Sequence, residues 1–176
     1  QKDLLVWKKF VGLLEYSPLW LFVQIMGFVR YDSRIKIGSI IIAFAIRLIP
    51  KYRKRVFANL KLVFPELSRE EQKNFLKKFS QNLGTTFTEF LFNNDFQKNQ
   101  QIHLKDVRQL DEINNAVKNA QPVIIVSGHF GPWEAVRATL KKRGLEAGAV
   151  YRPSKNIFYE PHHHRTIRAG GTPIFQ

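Results

Sequence analysis

Two apolar stretches occupy the first 50 residues of the chain. The first covers residues 4–29 and is interrupted by Lys8, Lys9, Glu15 and Pro18, and the second covers residues 35–49. A membrane-spanning helix needs about 20 nearly uncharged apolar residues, and neither stretch meets that condition cleanly. The pattern predicts apolar and amphipathic helices, which are either buried in a core or attached to a membrane.

A basic segment overlaps the second apolar stretch and continues beyond it. Residues 34–64 contain no acidic side chain. Apolar helices beside a cationic run are typical of proteins that bind an anionic leaflet facing the cytoplasm. We therefore predict that residues 1–50 form a membrane-associated helical segment; the alternative is a pair of core helices with a solvated basic flank. The basic residues of the run are Arg34, Lys36, Arg47, Lys51, Arg53, Lys54, Arg55 and Lys61.

The middle of the chain predicts a long helix. Ser68, followed three residues later by Glu71, is a capping-box signature that begins a helix. Large apolar residues then recur at helical spacing and predict a core-facing stripe, with an acyl-chain groove as the alternative. The Asn93-Asn94-Asp95 segment predicts the end of this helix. The stripe consists of Phe75, Phe79, Leu83, Phe87 and Phe90.

The last third of the chain alternates between strand and helix patterns. Residues 122–126 are a β-branched run typical of a buried strand, and further strands are predicted at 147–151 and 172–175. Helices are predicted between them, at 132–143, ended by Gly144, and at 157–169. Before this region, a short strand is predicted at 102–107 and a short helix at 111–119. The fold class is thus α/β: N-terminal apolar and amphipathic helices, then the β-α-β-α-β start of a mainly parallel sheet.

The candidate chemistry follows the first of these predicted strands. His129 would stand beyond the carboxyl end of the strand, where open α/β sheets bind ligands, and Glu134 would lie in the first turn of the next helix. Such a pair suits general-base catalysis, because the carboxylate fixes the imidazole tautomer. The alternatives are a structural histidine and a glutamate that only complements the helix dipole. Ser127 is a rival nucleophile.

Charge narrows the choice of partner. The 176 residues contain 28 Lys and Arg against 14 Asp and Glu, a net charge of +14, and no Cys. The basic excess predicts a polyanionic partner: anionic lipid, an acidic protein or nucleic acid. No nucleic-acid-binding motif is present, and the basic run adjoins apolar helices, so we expect no nucleic-acid partner. Thiolate chemistry and Cys-ligated zinc are excluded, and three adjacent histidines at 162–164 point in different directions on a helix, which disfavours a metal site.

Four blocks of the sequence together resemble one family. Residues 128–134, Gly-His-Phe-Gly-Pro-Trp-Glu, are similar to the H-x-x-x-x-D/E motif of glycerolipid and lipid A acyltransferases. The other blocks narrow the resemblance to the lipid A biosynthesis acyltransferase family, of lauroyl and myristoyl transferase type. Ile157 departs from the family pattern, which has Pro after the Asn. The other three blocks are Arg55 with residues 59–60 and 64–66, residues 82–89, and Tyr151-Arg152-Pro153 with Asn156, Arg165, Arg168 and Gly170.

The resemblance implies an activity and a location. It implies transfer of a fatty acyl chain from acyl carrier protein to a hydroxyl of a lipid A precursor, at the cytoplasmic face of a bacterial inner membrane, without metal or organic cofactor. His129 would be the base and Glu134 its orienting partner, and the substrate-binding residues would be Arg152, Asn156, Arg165 and Arg168. Residues 51–176 would be the N-terminal part of an acyltransferase domain whose remainder is missing. Alternatives are a transferase for another glycolipid or glycerolipid, such as phosphatidylinositol mannoside, and a basic membrane-binding protein without activity.

Overall fold

The computed structural model describes residues 2–99 and 108–176. Within these residues the chain forms eight helices and two short strands. Helices dominate the architecture, and the strands form one parallel pair near the C-terminal end. The elements are α1 (Lys2–Gly27), α2 (Tyr31–Leu48), α3 (Pro50–Val63), α4 (Arg69–Leu91), α5 (Asn93–Asn99), α6 (Arg108–Lys118), α7 (Glu134–Lys142), β1 (Ala149–Val150), α8 (Glu160–Ala169) and β2 (Ile174–Phe175).

Helix α4 packs most extensively against α2, and small residues bring the two helices close together. The buried row of α4 includes Ser80, Gly84 and Thr88, spaced four residues apart on one face. Gly38 of α2 lies directly against the side chain of Thr88, and Ser39 donates a hydrogen bond from its hydroxyl to the carbonyl of Gln81 at 2.9 Å. Small side chains let helix backbones approach closely, as this pair does.

We expect Gly84→Ala to destabilise the protein strongly. A Cβ atom at residue 84 would lie 2.5 Å from the carbonyl oxygen of Ser39 and 3.1 Å from its Cα, so the α2 backbone itself would have to move. Overpacking of this kind costs about 1–3 kcal/mol. Thermal unfolding followed by circular dichroism measures the effect, and Gly27→Ala is the control, because a Cβ there meets nothing within 4 Å. An unchanged melting temperature for Gly84→Ala would contradict the close packing.

The predicted start of α4 is confirmed. Ser68 accepts a hydrogen bond from the backbone N–H of Glu71, and the Glu71 carboxylate accepts one from the backbone N–H of Ser68 at 2.8 Å. The predicted apolar stripe is wrong for most of its length. Phe75, Phe79 and Phe87 are exposed, and only Phe90 is buried. The physical reason is that α2 packs on the neighbouring row of small residues, which permits a closer approach than phenylalanines would.

An arginine joins the α1–α2 connection to α5. The buried guanidinium of Arg34 donates to the carbonyl of Val29 at 2.9 Å and to that of Gly27 at 3.2 Å, and it forms an ion pair with Asp95. It also lies 4.4 Å from the ring centre of Phe92. Phe92 in turn belongs to an apolar cluster with Met26 and Leu91 that holds the end of α1 against the end of α4. These contacts hold the ends of α1 and α4 and the start of α2 and α5 together.

Only part of the predicted β-α-β-α-β pattern is present. Strand β1 pairs with β2 in parallel, with Ala149 opposite Ile174, and α8 connects them as predicted. Residues 122–126 do not form the predicted buried strand: they make no strand hydrogen bonds with residues 2–99 or 108–176, and Ile124 and Val126 are 89% and 91% exposed. A strand requires a neighbour that pairs with its backbone, and β-branched side chains alone do not supply one. The described sheet therefore has two strands.

The remaining helix predictions are confirmed. Helices α6, α7 and α8 occupy the segments predicted at 111–119, 132–143 and 157–169, and Gly144, with φ of 77°, follows the end of α7. The segment 93–95 ends α4 and also begins α5. The strand predicted at 102–107 lies outside the described residues. Contacts cross the predicted domain boundary near residue 50, because α2 packs on α4; the division itself stays a prediction.

Within the part of the chain that the structure describes, one helix segment is long and apolar enough to cross a membrane. It covers Val6–Gly27, near the N-terminus, and none of its most apolar window is buried. Length and composition alone are weak evidence for a span, since core helices and signal sequences meet the same criterion. The exposed apolar surface continues on α2 through Ile40, Ile41 and Phe44.

Candidate functional site

A large open groove lies between the C-terminal half of α4, residues 123–129, α7, β1 and α8. Its volume is about 1030 Å³. Apolar side chains such as Phe87, Val123 and Ile125 contribute much of its wall. The polar groups on the wall include His129, Glu134, Arg137, Arg152 and His163. An apolar cleft with a few polar groups is the usual form of a site for small molecules or lipids.

His129 lies on an exposed segment that leads into α7. Its ring is 4.9 Å from the ring centre of Trp133, at an angle of 47°. Gly131, between them, has φ of 63°, a left-handed backbone conformation that residues other than glycine rarely adopt. The turn at Gly131 thereby folds the histidine back over the start of α7. The imidazole is accessible from the groove.

Glu134, the first residue of α7, is 7% exposed. Its Oε2 accepts a hydrogen bond from Asn93 Nδ2 at 3.2 Å and one from Arg137 Nη1 at 3.1 Å. Burial raises the pKa of this carboxyl group above its usual value, and the charge of Arg137 and the bond from Asn93 oppose that rise. Glu134 is therefore a buried carboxylate held in place by a cation and an amide.

The structure brings His129 and Glu134 to one groove without joining them. Among the described residues no hydrogen bond connects the two side chains: the imidazole packs on Trp133, and the carboxylate is engaged by Asn93 and Arg137. One carboxylate oxygen retains capacity, because Oε1 accepts only the longer bond from Arg137, at 3.4 Å. The predicted catalytic pair stays a prediction.

The sequence did not point to Arg137, whose side chain connects several of the elements that line the groove. Besides Glu134, it donates to the carbonyls of Ile167 at 2.9 Å, Gly171 at 2.8 Å and Ala147 at 3.2 Å. It thus connects α7 to the end of α8 and to the segment before β1. Its position three residues after Glu134 on a helix is the signal that could have found it.

Asn93 was likewise missed as a site residue. It is 1% exposed, and its Nδ2 donates to the carbonyl of Thr166 at 2.8 Å as well as to Glu134. It therefore links the junction between α4 and α5 to both α7 and α8. The two acceptors of its Nδ2 are 41 and 73 residues away in sequence, a separation that no local pattern encodes.

The structure does not gather the predicted arginines into one cluster of polar contacts. Arg152 lies on the groove wall and is exposed. Arg165 and Arg168 are exposed on α8. Burial lowers the pKa of neighbouring His162, and the positive charge of Arg165 lowers it further. Substrate binding by these arginines stays a prediction, with Arg152 nearest to the groove.

Asn156 has the contacts of a capping and bridging residue. Its Oδ1 accepts from the backbone N–H of Phe158 at 3.0 Å and of Tyr159 at 3.3 Å, and its Nδ2 donates to the carbonyl of Gly12 in α1 at 2.8 Å. Tyr16 of α1 also lies 5.9 Å from Tyr159, between ring centres. The side chain thus caps the turn before α8 and connects it to the N-terminal helix. Its predicted role in substrate binding stays untested.

We expect Asn156→Ala to lower the free energy of unfolding by about 1–2 kcal/mol, because it removes the cap of the turn before α8 and a hydrogen bond to α1. Asn156→Asp separates the two contributions, since it keeps the capping oxygen and loses the donor to Gly12. Chemical denaturation monitored by tryptophan fluorescence gives both values. A loss in Asn156→Asp as large as that in Asn156→Ala would show that the cap contributes nothing.

Comparison with known proteins identifies the family. A lipid-sized groove with imidazole, carboxylate and guanidinium groups on its wall is the kind of site found in group-transfer enzymes that act on amphipathic substrates. Residues 8–166 match the family described as bacterial lipid A biosynthesis acyltransferase. The match covers most of the chain, which therefore belongs to that family of membrane-associated acyltransferases. Curated proteins and solved structures give no significant match.

Proposed function

We propose that this protein moves a fatty acyl chain from acyl carrier protein to a hydroxyl of a lipid A precursor. The observation that carries the proposal is that His129 and Glu134 lie on the wall of one groove in a chain of this family. His129 removes the proton of the acceptor hydroxyl as its oxygen attacks the thioester carbonyl. The C–S bond of the thioester breaks as the ester bond forms, and the departing thiolate of the carrier takes up the proton from His129.

The role of Glu134 is to orient His129 and to stabilise its imidazolium form. For this the imidazole turns from Trp133 toward Oε1 of Glu134, the oxygen with spare accepting capacity. Catalytic hydrogen bonds are often formed only when substrate is bound, so their absence in the empty groove is compatible with the proposal. The buried anchorage of Glu134 by Arg137 and Asn93 gives the histidine a fixed carboxylate to meet.

The polar and apolar parts of the groove suit an amphipathic acceptor and an acyl chain. Residues 123–125 and Phe87 offer apolar surface for hydrocarbon. In this proposal Arg152 on the wall, and Arg165 or Arg168 on α8, bind phosphate groups or the oxyanion of the tetrahedral intermediate. Asn156 contributes by holding the segment that carries Arg152.

The charge distribution supports an acidic donor and an anionic membrane. Acyl carrier proteins are acidic, and the net charge of +14 would steer them toward this protein. The basic residues of α3, which follows and contacts the apolar helix α2, suit attachment to the cytoplasmic face of a bacterial inner membrane. In this proposal residues 1–50 attach the protein and residues 51–176 carry the groove.

An acyl transfer assay tests the proposal directly. Purified protein in lipid vesicles is given radiolabelled acyl carrier protein thioester and a lipid A precursor with a free 3-hydroxyl, and the acylated product is separated by chromatography. We expect product with this acceptor, less with acyl-CoA as donor, and none with phosphatidylinositol mannoside. Transfer to phosphatidylinositol mannoside alone would reassign the acceptor, and absence of thioester release with every acceptor would refute the activity.

A further inference from the structure

A second imidazole and carboxylate lie on the wall of the same groove, on α8. His163 Nδ1 is 3.5 Å from Oε2 of Glu160, and His163 is among the groove-lining residues. Glu160 is itself held: its Oε1 accepts from the hydroxyl of Tyr151 at 2.8 Å, and its Oε2 accepts from the backbone N–H of Ser154. The carboxylate beside His163 is therefore fixed by two donors from the segment that follows β1.

Aromatic rings fix the orientation of His163. It is stacked on Tyr159, with ring centres 5.4 Å apart and planes within 17°. The ring centres of Phe90 and Tyr151 lie 5.9 Å and 5.6 Å away, in edge-to-face geometry. Phe90 also contacts Trp133, at 5.4 Å, and Trp133 contacts His129. Two rings thus separate the two histidines along one wall of the groove.

Nδ1 of His163 is buried and makes no hydrogen bond within the described residues, so the Glu160 carboxylate at 3.5 Å is the acceptor that an N–H there would take. In the tautomer whose proton is on Nδ1, Nε2 carries the lone pair and accepts a hydrogen bond. An O–H group is the natural donor for it, whereas a phosphate oxygen is not. We propose that His163 binds a hydroxyl group of the acceptor lipid through Nε2, with Glu160 fixing its tautomer. This inference rests on the proposed acyltransferase function.

Two substitutions distinguish this role from a structural one. Asn at residue 163 places an amide N–H near the position of Nδ1 and preserves the contact with Glu160, and Gln places an amide oxygen near the position of Nε2. His163→Asn should therefore raise the KM for the acceptor by about tenfold, and His163→Gln by no more than about threefold. His164→Ala is the control, because it lies next in sequence but is not among the groove-lining residues.

The readouts are the KM and kcat for the acceptor and the rate of thioester hydrolysis by water without acceptor, all with the full protein in vesicles. We expect the acceptor KM alone to change, with hydrolysis and melting temperature as in the wild type. An unchanged KM in His163→Asn, or equal loss of hydrolysis and transfer in both variants, would overturn the inference while leaving the proposed function intact. Absence of transfer by the wild type would refute the proposed function and, with it, this role.

Discussion

His129→Ala should lower the rate of acyl transfer by about 10²–10⁴-fold, the contribution expected from a positioned general base. The acceptor hydroxyl is a poor nucleophile until its proton is removed, and methyl groups cannot accept that proton. The histidine is exposed and its ring contacts only Trp133 among the ring contacts of the described residues, so the substitution should leave the melting temperature nearly unchanged. Transfer to the lipid A precursor and thermal unfolding are measured on the same preparation.

Ser127→Ala is the matched control for this experiment. Ser127 lies two residues before His129 on the same exposed segment, and its hydroxyl donates only a weak 3.4 Å bond to the carbonyl of Gly128. Near-normal transfer is expected, because attack by the acceptor hydroxyl needs no acyl-enzyme. Loss of activity in Ser127→Ala, together with an acyl adduct detected by mass spectrometry, would assign the nucleophile to Ser127 and contradict the role given to His129.

Local sequence patterns predicted the helices well and one packing face badly. The capping box at Ser68 is a signal contained within four residues, and it begins α4 as predicted. The face of α4 that packs on α2 depends on a partner about 45 residues away. Two rows with the same helical spacing run side by side, the phenylalanines from Phe75 and the small residues from Ser80, and hydrophobicity alone favoured the wrong one. Close helix approach selected Gly84 and Thr88 instead.

The groove was predictable only where its residues are close together in the sequence. The segment from His129 to Glu134 is continuous in sequence, so its approach to the start of α7 followed from the local pattern. The partners of Glu134 did not, because Asn93 comes from a different helix junction. Residues 122–126 were predicted as a strand that the structure does not show. Their β-branched composition favours a strand, but a strand also needs a neighbour to pair with, and composition does not supply one. His163 was not predicted as a site residue, because residues 162–164 were considered together only as metal ligands, a role that their different directions on a helix disfavour.

Arg137→Met should destabilise the protein by about 3–5 kcal/mol, because it removes the cation beside a buried carboxylate and leaves that charge without compensation. It also removes donors to three backbone carbonyls that connect α7, α8 and the segment before β1. The double variant Glu134→Gln/Arg137→Met should recover part of the loss, since no buried charge then remains. Arg143→Met, at an exposed position just after α7, is the control and should change stability by no more than about 0.5 kcal/mol.

The loss in Arg137→Met should also depend on pH, with a sign that burial of Glu134 determines. Burial raises the pKa of Glu134 in the folded protein, so the folded state binds this proton more tightly than the unfolded chain does. Stability from this group is therefore present at acidic pH and lost as the pH rises through the folded-state pKa. Without Arg137 the pKa rises further, and urea unfolding should show a larger deficit at pH 7.5 than at pH 5. A deficit independent of pH, or one that the second substitution does not reduce, would mean that the carbonyl contacts of Arg137, and not its charge, hold the groove together.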